Sequence, residues 1–410
     1  MDFNDTAEEA AFRAEARAFL EANAELKAQV SRGYRSRSLD EQAVRQSKAW
    51  QARKAAAGFA GIHWPARYGG RDGTQMQAII FAQEEARYDV PANIFNQGVG
   101  MAMPTIMQWG SSEQAERFAR PALYGEELWC QLFSEPGAGS DLAGLRTRAT
   151  RDGDDWVVNG QKVWTSNAHF AHFGMLVTRS DPTVPKHQGL TFFILDMSTP
   201  GVEVRRIRQI SGTSNFCEVF LSDVRIPDNR RLGAVGGGWK VALTMLANER
   251  FVVGQAEGPD ASDMLDFARA ALIDGRPALE DTSIREKIAD WYVQEQGLKY
   301  TRLRSQTALS RGGAPGPESS IAKLVSATKL QQIASFGIDL LGQAGAVMEA
   351  DIAPLNAWFQ EAMLYAPGKR IAGGTDEILR NIIAERVLGL PAENRADKDI
   401  PFNQIPTSRR

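Results

Sequence analysis

The stretch Trp129-Cys130-Gln131-Leu132-Phe133-Ser134-Glu135-Pro136-Gly137-Ala138-Gly139-Ser140-Asp141 decides how the chain is read. An apolar run breaks off into a loop of small residues, whose two glycines permit backbone angles that other residues avoid. Backbone N–H groups crowd around a bound group in such a loop, so it reads either as a cofactor cradle or as a turn-rich surface loop. Further on come Trp156-Val157-Val158, then Asn159-Gly160, then Gln161-Lys162-Val163-Trp164-Thr165-Ser166. Asn-Gly between two β-prone runs predicts a two-residue hairpin, because a type I′ turn needs positive φ twice. The spacing Gly137-x-Gly139 then Gly144 is not G-x-G-x-x-G and no βαβ pattern surrounds it, which excludes a Rossmann unit.

Working outward, 410 residues are enough for roughly two or three packed units. With 47 basic and 50 acidic residues the net charge is -3, and the only dense basic cluster lies at the extreme C-terminus. That balance argues against nucleic acid and against a membrane surface as partners. Two cysteines, Cys130 and Cys217, cannot make a disulfide framework and read as core; four scattered histidines leave no metal-ligand spacing. An acidic amphipathic N-terminus without an apolar h-region, and no run long enough to span a bilayer, predict a cytoplasmic protein.

The periodicity predicts an α+β chain: an N-terminal helical domain over 1–125, a middle antiparallel β domain over 126–235, a C-terminal helical bundle over 236–391, and a polar, poorly ordered tail over 392–410. Thr6 with Glu9 forms a capping box ahead of Phe12, Phe19 and Leu20. Helices are also predicted over 41–57, 74–88 and 113–119, and His63 to Gly70 is a packed aromatic turn. Strands are predicted over 173–178, 190–197, 202–207 and 216–221. His169 and His172 lie between strands with no ligand partner at metal spacing.

Two patterns in the C-terminal part carry chemistry. On the helix after Gly236-Gly237-Gly238, Trp239, Ala242, Leu243, Leu246 and Val253 fall on one stripe, with Glu249 at its edge and Arg250 within it. No basic residue stands at 245 or 253 to pair with Glu249, so it is either a functional carboxylate or an edge glutamate paired with a distant arginine. The second pattern is Gly373-Gly374-Thr375-Asp376-Glu377, where Thr375 caps a helix through Ile378, Ile382, Ile383 and Val387. Two glycines before a helix N-terminus expose N–H groups suited to an oxyanion or phosphate; the alternative is a capped helix and nothing more.

Ser-Glu-Pro-Gly-Ala-Gly-Ser-Asp at 134–141, followed by Asn-Gly-Gln-Lys-Val-Trp-Thr-Ser-Asn at 159–167, closely resembles the flavin-binding signature of the acyl-CoA dehydrogenase family. The Trp-Pro-x-x-Tyr-Gly-Gly segment at 64–70 and the order helices, sheet, helices over residues 1 to 391 are similar too. The resemblance implies FAD as cofactor, an acyl-CoA as substrate, α,β-dehydrogenation to the trans-2-enoyl-CoA with hydride passing to flavin N5, and an electron-transfer flavoprotein as acceptor. Residue by residue it implies flavin contacts at Gln131, Phe133, Ser134, Gly139, Ser140, Trp164, Thr165, Ser166, Gly374, Thr375 and Glu377, and substrate contacts at Ser140, Arg250 and Gly373. In most members the base is a glutamate one residue before the Gly-Thr of the second pattern, where this chain has Gly373. A subgroup resembling the isovaleryl and long-chain enzymes carries glycine there and a glutamate before an arginine on the helix after the β domain, so the resemblance assigns the base to Glu249. The Arg-x-x-Phe-Gly signature that reaches a neighbouring subunit's flavin is missing around 271–275. Homo-oligomer, dimer or tetramer, and heterotetramer therefore all stay open, as do a flavin monooxygenase of the same fold and a non-catalytic subunit. The sequence does not define the acyl group.

Overall fold

The computed structural model of the chain describes residues 4–27, 39–252, 258–310, 316, 319–394, 397 and 399–406; the side chains at 249–252, 309–310 and 319 fall outside that description. Two compact units divide it: one holds residues 11–25, 38–252 and 393–410, the other residues 1–10, 26–37 and 253–392.

Caps open the N-terminal helices. In the predicted capping box the Thr6 N–H donates to Glu9 Oε2 at 2.8 Å and the Glu9 N–H to Thr6 Oγ1 at 3.2 Å. Helix α1 (Ala7–Asn23) follows and buries Phe12, Ala16 and Leu20. Asp40 caps α2 (Glu41–Ala56), Thr74 caps α3 (Gln75–Glu85), and Ser111 with Gln114 boxes the start of α5 (Ser112–Leu123). Between them α4 (Met103–Trp109) grows out of a π-helical stretch, Asn96–Ala102, with no side-chain cap; that is why the sequence showed no helix there. Trp64 and Tyr68 are buried in the aromatic turn. Short strands β1 (Glu25–Leu26) and β2 (Tyr88–Asp89) lie between helices.

The larger unit is built on an eight-stranded sheet. Strands β3 (Trp129–Leu132), β4 (Arg148–Asp152), β5 (Asp155–Ser166), β6 (Phe173–Arg179), β7 (Leu190–Asp196), β8 (Val202–Ile207), β9 (Phe216–Pro227) and β10 (Arg231–Leu232) run in the order β10-β7-β6-β4-β5-β9-β8. The pairings are antiparallel except that β3 joins β6 in parallel and β4 touches β6 in parallel at Arg148 and Arg179. One face encloses Cys130, Trp156, Val158, Phe193, Cys217 and Val219. The other packs Phe173, Met175, Phe192 and Ile194 against Phe118, Leu123 and the helix α6 (Gly238–Val252) through Val241, Ala242 and Met245.

Three expectations need correction. Asn159-Gly160 is not a hairpin turn: β5 runs through it, and the chain reverses instead between Asp152 and Asp155, where Gly153 has φ 62°. Gly160 is nearly extended at φ 159° and is small because Thr147 passes close by, its Cα 2.7 Å from where a Cβ would stand. Asn159 pairs across a bulge, its Nδ2 donating to Asp223 Oδ1 and its Oδ1 accepting from the Asp223 N–H, both at 2.9 Å. The described tail is also packed: Phe402 is buried, its N–H donating to Val184 O at 2.9 Å, and Lys186 reaches Asp397 at 2.6 Å. On α6 the buried positions are Val241, Ala242 and Met245, while Leu243 is exposed; Val253 lies outside the described residues.

The smaller unit packs α7 (Ala261–Ala270), α8 (Thr282–Ser310), α9 (Ser319–Leu341), α10 (Trp358–Ile371) and α11 (Asp376–Ile382) around Met264, Ile284, Trp291, Ile333 and Phe359. Strands β11 (Leu272–Ile273) and β12 (Arg276–Pro277) pair across Asp274 and Gly275, which have φ 51° and 79°. No described helix is long and apolar enough to cross a membrane.

Gly160→Ala places a methyl group against the Thr147 backbone, and we expect a loss of about 1–3 kcal/mol in urea denaturation, the range for overpacking a close contact. Asn159→Ala, which removes only the bulge hydrogen bonds at an exposed edge, is expected to cost less, about 0.5–1.5 kcal/mol.

Candidate active site

A buried ion pair joins the two halves of the flavin-like motif. The Lys162 Nζ donates to Phe133 O at 3.0 Å and to Glu135 Oε1 at 2.9 Å. Glu135 in turn accepts from the N–H groups of Arg146 at 2.6 Å and Thr147 at 2.9 Å, and the Val163 N–H donates to Ser134 O at 2.9 Å. Phe133, Ser134 and Glu135 are thereby pinned to β5, and residues 131–135 and 162–166 form one surface. Burial opposes charge on the Glu135 carboxyl, but Lys162 and the hydrogen bonds from Thr147 and Arg146 outweigh it and hold the pKa below the ordinary range. Burial, aided by Arg179, pulls the Lys162 ammonium down despite Glu135.

The residues of this surface divide by what they already touch. The Phe133 side chain is buried in the core, edge-on to Phe192 at 5.7 Å, so only its backbone is available to a ligand. The side chains of Gln131, Ser134 and Ser166 are half-buried and make no hydrogen bond among the described residues. Neither do the N–H groups of Gly139, Ser140 and Asp141, while the Gly139 Cα faces open space. Trp164 is 58% exposed with φ 59°, an unfavourable angle for an aromatic residue, and sits on a bulge of β5. Next to it the Thr165 Oγ1 is buried without a partner. Free donors and acceptors around an exposed indole suit a planar heterocycle bearing a polar chain, and the residues present fit FAD.

Cys217 lies with its Sγ 3.3 Å from His169 Nδ1, and burial raises the pKa of both Cys217 and Cys130, so these thiols stay protonated and inert. Among the described residues no group of three or more His, Cys, Asp or Glu is placed to hold a metal ion.

Glu249 and Arg250 occupy the last turn of α6, but their side chains fall outside the described residues. The backbone ahead of them is anchored: Trp109 Nε1 donates to Thr244 Oγ1 at 2.9 Å, and Asn248 Nδ2 to Thr105 Oγ1 at 3.5 Å. In the smaller unit Gly373 and Gly374 have φ 68° and 100°, the left-handed region that favours glycine. Thr375 caps α11, its Oγ1 accepting from the Ile378 N–H at 3.3 Å, and Lys323 on α9 donates to Gly374 O. Arg370 holds Asp376 at 2.6 Å. The exposed Glu377 carboxyl is held below its ordinary pKa by its own backbone N–H and by the Thr375 hydroxyl.

Lys162, Glu135 and Lys323 went unnoticed in the sequence. A lysine at an inward position of β5, in step with Trp156 and Val158, was the available signal for the first two; nothing in the sequence connects Lys323 to Gly374.

The fold and this loop define a flavoprotein dehydrogenase of helical, β and helical parts. Models of the acyl-CoA dehydrogenase N-terminal, middle and C-terminal domains match residues 6–126, 130–224 and 236–388, and the chain belongs to the acyl-CoA dehydrogenase family. Its enzymes are FAD-dependent oxidoreductases. A Mycobacterium tuberculosis protein named acyl-CoA dehydrogenase IpdE1 is 35% identical over 387 residues, 93% of this chain and 98% of that one. Among solved structures, the Tcur3481-Tcur3483 steroid ACAD superposes with a TM-score of 0.77 at 25% identity, covering 96% of this chain and 100% of that one. The ChsE4-ChsE5 complex from Mycobacterium tuberculosis gives 0.76 at 25% identity over the same shares.

Lys162→Met strands the Glu135 carboxylate in the interior and is expected to cost about 3–5 kcal/mol in chemical denaturation. Because the folded Glu135 titrates below its ordinary 4.5, its contribution is complete above that value and lost as pH falls through the folded pKa. Glu135→Gln should therefore flatten the loss of stability below about pH 4.5, and an unchanged acid limb would refute the pairing.

Proposed function

We propose that the chain dehydrogenates an acyl-CoA thioester to the trans-2-enoyl-CoA, with Glu249 as the base that removes the α-proton. The observation that carries this is the surface around Trp164, where Gln131, Ser134, Ser166 and the N–H groups of 139–141 keep their hydrogen-bonding capacity unspent. Those residues would hold FAD, with Gly374, Thr375 and Glu377 as further contacts by resemblance. FAD, when bound, supplies the acceptor for the hydride leaving Cβ.

The base assignment rests on two supports. Position 373, where most relatives carry the carboxylate, holds a glycine in a left-handed conformation. Glu249 stands on α6 directly after Asn248, whose link to Thr105 fixes the backbone there. A thioester α-proton is weakly acidic, so the carboxylate must sit in a water-poor environment that raises its basicity, and the thioester carbonyl must receive hydrogen bonds as charge develops on it. An N–H near Gly373 is the proposed protein donor to that carbonyl, and Ser140 and Arg250 the contacts to the CoA chain, all three by resemblance.

The steroid dehydrogenase neighbour favours a bulky, ring-bearing acyl group over a short straight chain, and both it and the ChsE4-ChsE5 complex favour assembly with an unlike subunit. An electron-transfer flavoprotein is the proposed acceptor.

Anaerobic mixing of the holoenzyme with a panel of straight-chain and steroid-side-chain acyl-CoAs should bleach the flavin, and Glu249→Gln should slow that bleaching by about 10²–10⁴-fold, the usual worth of a general base. Retention of the wild-type rate by the variant would overturn the base assignment. A colourless chain that acquires flavin and turnover only with a second subunit would show that it acts as one half of a mixed oligomer.

A further inference from the structure

Arg179 is a buried cation without a counter-ion. It closes β6 with 3% of its surface exposed; its Nη1 donates to Lys186 O at 2.6 Å, its Nη2 to Ala143 O at 2.5 Å and Leu145 O at 3.4 Å, and its Nε has no partner. All three acceptors are neutral carbonyls. The ring of Phe402 lies 3.8 Å from the guanidinium carbon, and a neutral ring attracts a cation without cancelling its charge. The nearest buried charges do not cancel it either, since Glu135 is already paired with Lys162. Burial accordingly pulls Arg179 down to about 10.

Arg179 lines a cavity of about 720 Å³ together with Arg146, Arg148 and Arg151. Among the described residues none of these three has a carboxylate within ion-pair distance, and Arg151 donates only to Gly153 O at 3.1 Å. Asp181, the one carboxylate in the lining, makes no ion pair; it accepts from the Thr183 N–H at 2.8 Å and hydroxyl at 2.6 Å and so offsets one of the four positive charges. The lining thus holds four arginines against one carboxylate, an excess of positive charge. Leaving a buried charge uncompensated is costly, and like charges gathered in one cavity repel, so such an arrangement persists where an anion completes it.

We propose that this cavity binds a phosphate ester dianion, with Arg179 as its buried counter-charge and Arg146 and Arg148 closing on it from the rim. The guanidinium fork matches phosphate oxygens in paired hydrogen bonds, and a dianion balances more of the excess than a carboxylate can. Two sources carry this chemistry: the 3′-phosphate of a CoA thioester, or a free phosphate ester. The first rests on the proposed substrate class; the site itself does not.

The test titrates the purified full-length protein with inorganic phosphate at constant ionic strength set by chloride, read by thermal unfolding and calorimetry. Phosphate should raise Tm where chloride does not. Arg148→Gln, an exposed change that removes no hydrogen bond, should leave Tm in chloride unchanged and weaken phosphate binding about tenfold, the worth of one charge-assisted bond. Arg179→Gln should abolish binding if it folds; Arg148→Gln keeps the test decisive if it does not. The source follows from KM for an acyl-CoA and for its 3′-dephospho analogue. A KM raised by Arg148→Gln for the first alone identifies the substrate's own phosphate, whereas unchanged KM values with lost phosphate binding identify a free ester, and both uphold the site. Equal stabilisation by phosphate and chloride, or undiminished phosphate binding by Arg148→Gln, overturns it. Neither result depends on whether Glu249 is the base.

Discussion

One ammonium, that of Lys162, ties the loop at 133–135 to the sheet. Its partners are a carbonyl and a carboxylate of that loop, and the carboxylate goes on to fix the N–H groups of Arg146 and Thr147. The chain on both sides of the glycine segment is therefore held, although Gly137 and Gly139 have no neighbour within contact distance of a would-be Cβ. A loop open to solvent in its middle and clamped at its ends presents its N–H groups in a set geometry without filling the space they face. That is the requirement for a preorganised cradle, and a buried pair supplies it at the cost of desolvating two charges.

How much of this was legible depends on whether the cause is local. Capping residues act within one turn, so Thr6 and Thr375 were legible as caps, and Asp40, Thr74 and Ser111 cap their helices by the same local chemistry, whereas α4, which inherits its start from a π-helical stretch, left no mark. The Asx-Gly signal is only conditionally local. Asp274-Gly275 takes positive φ twice and turns the chain, while Asn159-Gly160 lies within β5, because pairing with β4 and β9 and the approach of Thr147 decide its conformation. A tertiary neighbour overrode the dipeptide. The same holds for the tail, whose polar composition hides one aromatic residue, Phe402, that two arginines bracket at 3.8 and 5.2 Å.

The catalytic proposal also turns on backbone conformation. An L-residue other than glycine in the left-handed region pays roughly 1–2 kcal/mol, so Gly373 at φ 68° fits its place without strain. A carboxylate on a helix such as α6 carries no such strain, and its approach is set by the helix axis instead of by a loop. Anchors at Thr244 and Asn248, five and one residues ahead of Glu249, keep that axis in place against Trp109 and Thr105. A base on the helix, as proposed, would leave that loop unstrained and hand positional control to packing between helices.

The motif that announced the family contains residues of two physically different kinds. Glu135, Lys162 and the Phe133 side chain spend their polar or apolar contacts inside the protein, and their task is to hold shape. Gln131, Ser134, Ser166 and the N–H groups of 139–141 keep theirs unspent. A motif match cannot separate the two kinds, because both are equally part of the string. Only a residue whose hydrogen-bonding capacity remains after the fold is complete has anything left to offer a ligand, and by that criterion Arg179, outside the motif altogether, ranks with Gln131 and Ser134.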